Sequence, residues 1–247
     1  MADRAVPQDN HEEDRPDASI DHAVALEYWN SIPATDNGML AVLDTYPQIP
    51  RIDVQGSTAF LAKLRLHSTQ HPKSQPLARV VDCGAGIGRI TLSFLSKHAD
   101  VVDIVEPVVS FTREITEGDK FKDLRDGGCI GKVYNVGLES WHPEEKYSLI
   151  WNQWCLGHLT DAQLVDYFKR CAESLTQGGW IVVKENMSTH VEGKDEFDPE
   201  DSSVTRTDTK FRKLFEEAGL KIVATELQRG WPKKLFPIRS YALQPKE

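Results

Sequence analysis

The chain has 247 residues, 40% of them apolar, and a formal net charge of −9 at neutral pH. That length holds one large domain with an N-terminal extension. It contains no apolar run near the roughly 20 residues of a membrane span, its opening is too polar for a signal peptide, and its acidic balance argues against a nucleic-acid backbone as main partner while suiting a cationic one.

In chain order, residues 1–19 are charged, contain proline and are poor in apolar residues, which predicts a disordered tail. Residues 20–247 form a single domain, of which 20–75 make a helical cap lying over the sheet. Residues 22–31 carry Ala25, Leu26, Tyr28 and Trp29, a short helix stopped by Pro33. Asp36-Asn37-Gly38 reads as a turn and 39–43 as another helical piece. Ser57 caps a predicted helix over 58–66 that places Phe60, Leu61 and Leu64 on one face. Residues 67–76 are a polar loop.

From Leu77 the pattern becomes strand–helix alternation. Strands are predicted at 79–82, 101–105, 132–135, 147–151, 180–185, 220–226 and 240–243, and helices near 89–97, 109–116, 161–174 and 209–218. This order predicts an α/β fold: a doubly wound, seven-stranded, mostly parallel Rossmann-like sheet with an antiparallel hairpin at its end. Gly178-Gly179 is read as the turn before the fifth strand, and Gly219 as the residue closing the last helix. The cysteines Cys83, Cys129, Cys155 and Cys171 show no C-x-x-C or finger-like spacing. They read as reduced, buried thiols of an intracellular protein with no metal site.

The first strand runs into Asp82-Cys83-Gly84-Ala85-Gly86-Ile87-Gly88-Arg89. Glycines allow positive φ and let backbone N–H groups approach a ligand. A dinucleotide fingerprint would need glycine at position 89, where Arg89 stands. The pattern D-x-G-x-G-x-G resembles motif I of the S-adenosylmethionine (SAM) methyltransferases. Glu106 ends the next strand, 18 residues after Gly88. It reads as an acceptor for ribose hydroxyls, or else as a strand-end acid facing water.

Ligands of open α/β sheets bind beyond the carboxyl ends of the strands. Gly137-Leu138-Glu139 follows the third strand, placed to contact a base. The segment from Trp151 to His158 follows the fourth and brings Gln153 and Trp154. Lys184-Glu185-Asn186-Met187 follows the fifth. Here Trp154 is either a site aromatic or a core one, and His158 either titratable or structural. Residues 195–201 hold five acids in seven positions, a solvated loop or the wall of a cation pocket.

Together these residues resemble the protein α-N-terminal methyltransferases, which methylate the free amine of Xaa-Pro-Lys termini. The resemblance runs from Tyr28 to Leu243 and rests on Tyr-Trp-x-x-Ile-Pro from Tyr28, Asn-Gly-Met-Leu from Asn37, the glycine loop from Asp82, Trp-x-Gln-Trp-x-x-Gly-His-Leu-Thr-Asp from Trp151, Asn186-Met187, and Asp-Ser-Ser-Val-x-Arg from Asp201. It implies SAM as cofactor, held by Gly84, Gly86, Arg89, Glu106, Leu138, Glu139 and Gln153. It implies that Asn186 fixes the substrate amine, that Asp201 and His158 serve as bases, and that Trp154 packs on the substrate proline. Asp198 and Ser203 would meet the lysine ammonium, and Tyr28, Trp29, Leu40 and Leu235 would wall the peptide channel. The expected partners are protein N-termini, without nucleic acid or membrane, in the cytoplasm and also the nucleus. Two departures stand out: Glu106 is one methylene longer than the family's usual Asp, and Leu235-Phe236 replaces a common Ile-Tyr, removing a hydroxyl. A small-molecule N- or O-methyltransferase and a catalytically silent SAM-binding scaffold are the other readings. The intact Asn186, Asp201 and His158 speak against the scaffold.

Overall fold

The structure is a computed structural model and describes residues 15–66 and 68–246. Seven strands form one sheet: β1 (Leu77–Cys83), β2 (Ala99–Val105), β3 (Ile130–Tyr134), β4 (Tyr147–Gln153), β5 (Leu175–Asn186), β8 (Leu220–Leu227) and β9 (Ile238–Pro245). Their order across the sheet is β3-β2-β1-β4-β5-β9-β8, parallel throughout except for β9, which runs antiparallel between β5 and β8. The chain therefore steps one way from β1 to β2 and β3, then crosses to β4 on the other side of β1. That reversal opens a crevice at the carboxyl ends of β1 and β4. The interior strands are apolar runs because helices cover both faces; every residue of β4 is buried.

The helices α4 (Arg89–Ser93), α5 (Val109–Thr116), α6 (Lys122–Asp126), α7 (Asp161–Glu173) and α8 (Asp208–Glu217) flank the sheet. α7 begins at a capping box, with Thr160 and Gln163 exchanging side-chain and backbone bonds. α8 ends at Gly219, whose φ of +75° closes the helix as expected. On one face Trp141, Tyr147, Tyr167 and Phe168 fill the core, and on the other Phe94, Trp151, Phe60 and Leu61 do so.

The N-terminal part departs from expectation in several places. Pro16–Ser19 forms a 3₁₀ turn with Asp17 buried, and the Asp17 carboxylate accepts the Asp161 N–H at 2.9 Å. Residues 15–19 are thus packed on the fold and not part of a disordered tail; the rest of that tail lies outside the described residues. α1 (His22–Ser31) falls where periodicity placed it. α2 spans Asp36–Leu40, so Asp36-Asn37-Gly38 opens a helix instead of forming a turn, because the Thr35 hydroxyl caps the Gly38 N–H at 3.1 Å. α3 spans Ile49–Leu64, starting well before Ser57. Ser57 is buried in mid-helix, where its hydroxyl accepts from Lys184 at 2.9 Å instead of capping.

Gly178 and Gly179 lie within β5. The acidic run is a small hairpin, β6 (Glu196–Asp198) with β7 (Ser203–Thr205), because Phe197 pairs with the buried Val204. The cysteines are free, and Cys129 is half-buried while the other three are buried.

Candidate active site

Two adjoining cavities of about 240 and 310 Å³ sit at the carboxyl ends of the strands. The first is floored by the turn after β1. Gly84 and Gly86 hold φ of +65° and +55°, the left-handed region where side chains are strained. A Cβ on Gly84 would lie 2.2 Å from Cys155 Cβ, and one on Gly86 would lie 2.8 Å from Met39 Sδ. The turn is therefore bare backbone pressed between its neighbours. Arg89, Glu106, Leu138, Glu139 and Gln153 complete the cavity. All seven residues expected to hold a cofactor are brought together there.

Glu106 accepts N–H bonds from Gly86 at 2.8 Å and Val108 at 2.9 Å. It is not the solvent-facing acid of the alternative reading: it is only 6% exposed, and burial pushes its carboxyl up to about 7 against those two bonds. Arg89 donates Nη1 to Asp53 at 2.7 Å and stacks its guanidinium 5.4 Å from the Trp154 ring centre. Gln153 donates to Asp53 at 2.9 Å and accepts from the Trp151 indole at 3.1 Å.

Asp53, on α3, belongs to no motif. It is fully buried and also accepts Lys184 Nζ at 2.5 Å. Burial alone would raise its carboxyl, but Lys184 and Arg89 overcome this and hold it below the usual range. Burial in turn lowers the Lys184 ammonium, which Asp53 only partly offsets. The one sequence signal for this network is Lys184 itself, a lysine directly after the buried apolar run Trp180–Val183 of β5.

The second cavity is lined by Asn186, Asp201, Ser203, Leu235, Phe236 and Trp231 among others, and shares Trp29, Met39, Leu40, Trp154 and His158 with the first. Trp231 was not anticipated; its ring centre lies 6.1 Å from that of Trp154. Tyr28 and Asp198 line neither cavity. Tyr28 meets Trp29 edge-on, and burial together with the charges of Glu200, Asp201 and Asp198 raises its hydroxyl above the ordinary value. Asp198 is exposed.

Three non-glycine residues have left-handed backbone among those described: Ala41, Trp154 and Ser202, at φ of +53°, +56° and +54°. Each adjoins or forms this site, and such strain persists only where surrounding contacts over-determine it. At Trp154 the holder is Glu185, whose Oε1 accepts the Cys155 and Leu156 N–H groups at 2.9 and 3.0 Å. Burial pushes Glu185 up to about 7. From the other side the buried Arg206 donates to Asp161 at 3.0 Å and to the Leu156 carbonyl at 3.1 Å, bracing the 3₁₀ turn Leu156–His158. At Ser202 the hydroxyl accepts the Asp21 N–H at 2.8 Å, tying the hairpin to the start of α1.

His158 Nε2 accepts the Trp29 indole N–H at 3.1 Å, while its Nδ1 is buried without a hydrogen bond. Burial lowers its imidazolium below the ordinary value, opposed by the Asp201 charge and the Ser202 backbone, with His22 adding to the fall. Asp201 Oδ1 is likewise buried without a partner.

A glycine turn after β1, a buried acid after β2 and a guanidinium beside them suit the charged amino-acid end and the ribose of SAM; with a second cavity sharing a wall, they define a SAM-dependent methyltransferase. The model of a family described as AdoMet-dependent proline di-methyltransferase matches residues 17–244. The chain is 46% identical to alpha N-terminal protein methyltransferase 1 of Schizosaccharomyces pombe, across 90% of this chain and 94% of that one. It is 36% identical to N-terminal Xaa-Pro-Lys N-methyltransferase 1 of Xenopus tropicalis, across 89% and 93%. A solved SAM-dependent methyltransferase of Leishmania major superposes with a TM-score of 0.77 at 37% identity, covering 90% of this chain and 82% of that one. The chain belongs to the AdoMet-dependent proline di-methyltransferase family, and SAM is its cofactor.

Proposed function

We propose that this enzyme transfers methyl groups from SAM to the free α-amino group of protein N-termini beginning Xaa-Pro-Lys. The observation that carries this reading is the shared wall. Trp29, Leu40, Trp154 and His158 line both cavities, so a peptide end in the second cavity abuts the cofactor in the first. Bound SAM supplies an electrophilic methyl on a sulfonium. Arg89 offers a forked donor to its carboxylate, and Glu106 offers acceptors to its ribose.

A free α-amine titrates near 8, so at neutral pH it arrives mostly as a cation without a lone pair. Asp201 supports both capture and deprotonation. Its Oδ1 is buried without a donor, a condition relieved by an incoming ammonium. The carboxylate can take one N–H proton directly or through water, and Asn186 beside it can orient the resulting amine but cannot act as a base. The flat Trp154 ring, propped at positive φ and backed by Trp231, offers a face to an imino-acid ring. Ser203 and the acidic hairpin draw in the lysine that follows. Much of the acceleration is then positional. We place the enzyme in the cytoplasm and nucleus, a reading supported by its free thiols.

Labelled SAM tests the reading against an Ala-Pro-Lys peptide and its N-acetylated form. Label in the free peptide alone supports it. Equal label in both, or none in either, refutes it.

A further inference from the structure

We infer that Trp231 is a peptide-binding residue whose indole N–H donates to a main-chain carbonyl of the substrate in the second cavity. This deepens the proposed reading and rests on it for the peptide that fills that cavity.

Trp231 lies on the loop 228–237 that joins β8 to β9. The loop is fastened at both ends. The Gln228 N–H donates to the Ile238 carbonyl at 2.8 Å, and the Pro237 carbonyl accepts the Met187 N–H at 2.8 Å. The second bond sets the loop beside Asn186, the residue placed to orient the amine. The Gln228 side chain also donates to the Ile52 carbonyl of α3 at 3.1 Å, and Gly230 turns the chain at a φ of +71°. Within the loop the Leu235 N–H donates to the Pro232 carbonyl at 3.1 Å. Held at these points, the loop brings Trp231, Leu235 and Phe236 to the second cavity. Trp231 does not line the first.

Of those three residues only Trp231 carries a polar side-chain atom. Its ring centre lies 6.1 Å from that of Trp154, with the planes at 47°, so the two indoles wall the same space. Its Nε1 is buried and has no acceptor among the described residues. An indole N–H can only donate, and a buried donor left unpaired is costly. A ligand that brings an acceptor relieves that cost. What the substrate can bring is limited. Its α-ammonium and its lysine ammonium only donate, and a proline ring offers neither donor nor acceptor. In an Xaa-Pro-Lys end with an apolar first residue, the acceptors are the main-chain carbonyls. A bond to one of them follows the course of the backbone whatever the first side chain is. Trp231 thus fixes how far the peptide enters, while Trp154 meets the proline ring.

The test uses the full chain saturated with S-adenosylhomocysteine and an Ala-Pro-Lys peptide, read by calorimetry and by the indole ¹H–¹⁵N resonance of Trp231. In the unmutated protein that proton should move downfield when the peptide binds. Trp231→Phe keeps a ring in the wall and removes the donor. It should weaken peptide binding roughly two- to tenfold, the worth of one hydrogen bond, and by a larger factor than it weakens S-adenosylhomocysteine binding. An indole proton that does not move downfield, or a Trp231→Phe variant that binds the peptide as tightly as the parent, would overturn the inference. The resonance is read on the unmutated protein, so it decides even if the variant fails to fold. Methylation decides the proposed reading separately. A peptide that binds and shifts the indole proton but gains no methyl group from SAM refutes that reading and supports the inference; a peptide that the parent does not bind refutes both.

Discussion

Asp53→Asn perturbs the network beneath the cofactor cavity without changing its shape. In the native chain the Asp53 carboxylate faces Lys184 at 2.5 Å, Arg89 at 2.7 Å and Gln153 at 2.9 Å. Lys184 is fully buried and Arg89 nearly so. The amide keeps the volume but leaves two cations without a counter-charge. Breaking a buried pair from one side costs about 3–5 kcal/mol. At about 2–4 °C per kcal/mol for a chain of this size, the melting temperature should fall by roughly 6–20 °C. The double variant Asp53→Asn with Lys184→Met removes the stranded ammonium and should recover most of the loss, because replacing a buried pair by apolar volume is often neutral. The pH dependence follows from the direction of the shift. A carboxyl held below its usual value contributes stability that is present above the unfolded value near 3.9 and is lost as pH falls through the lower folded value, so the acid limb should be shallower in Asp53→Asn. Urea unfolding followed by circular dichroism and tryptophan fluorescence measures this. A single variant within about 1 kcal/mol of the parent, far below the cost of a stranded buried charge, or a double variant no more stable than the single one, would refute the reasoning.

Other expectations follow from the cavities. Arg89→Ala should weaken SAM binding roughly ten- to a hundredfold by calorimetry, the loss of a charge-assisted pair, with the fold intact by circular dichroism; unchanged affinity would remove Arg89 from the carboxylate. Glu106 is pushed up to about 7, so affinity for S-adenosylhomocysteine should rise between pH 6 and 8 as the carboxyl ionises and gains acceptor strength for ribose hydroxyls, and Glu106→Gln should flatten that rise. Trp154→Ala should raise peptide KM by a larger factor than it weakens cofactor binding, the latter through the lost stacking on Arg89; equal turnover of Ala-Ala-Lys and Ala-Pro-Lys peptides by the parent would mean there is no proline pocket. Asp201→Asn should lower kcat by about 10²–10⁴-fold if it accepts the proton, and should mainly raise KM if it only holds the cation.

The sheet and its glycine turn could be read from the sequence because both are local. Apolar runs such as 101–105 need both faces covered, and a turn of three glycines before Arg89 has few uses. Most cofactor and amine residues sit at strand ends, where an α/β order fixes their neighbours. What escaped was non-local. Asp53 lies on a helix whose start was misjudged because Ser57 looked like a cap, and its role appears only when α3 docks against Lys184 from β5. The hairpin around Asp201 was hidden by its acids, since charge masks the short alternation that pairs Phe197 with Val204. Trp231 stands in an irregular loop and reaches the second cavity through tertiary packing alone. The Trp29 indole was expected as channel wall; its bond to His158 joins residues 129 apart in sequence, beyond any local pattern.

The central claim is that the methyl acceptor is an α-nitrogen presented across the wall of Trp29, Leu40, Trp154 and His158. Tandem mass spectrometry of an Ala-Pro-Lys peptide incubated with the enzyme and SAM tests it most directly. The account predicts methyl-sized increments confined to fragments that contain the N-terminal nitrogen, and their loss when that nitrogen is acetylated. Increments on the lysine side chain, or persisting on the acetylated peptide, would contradict it.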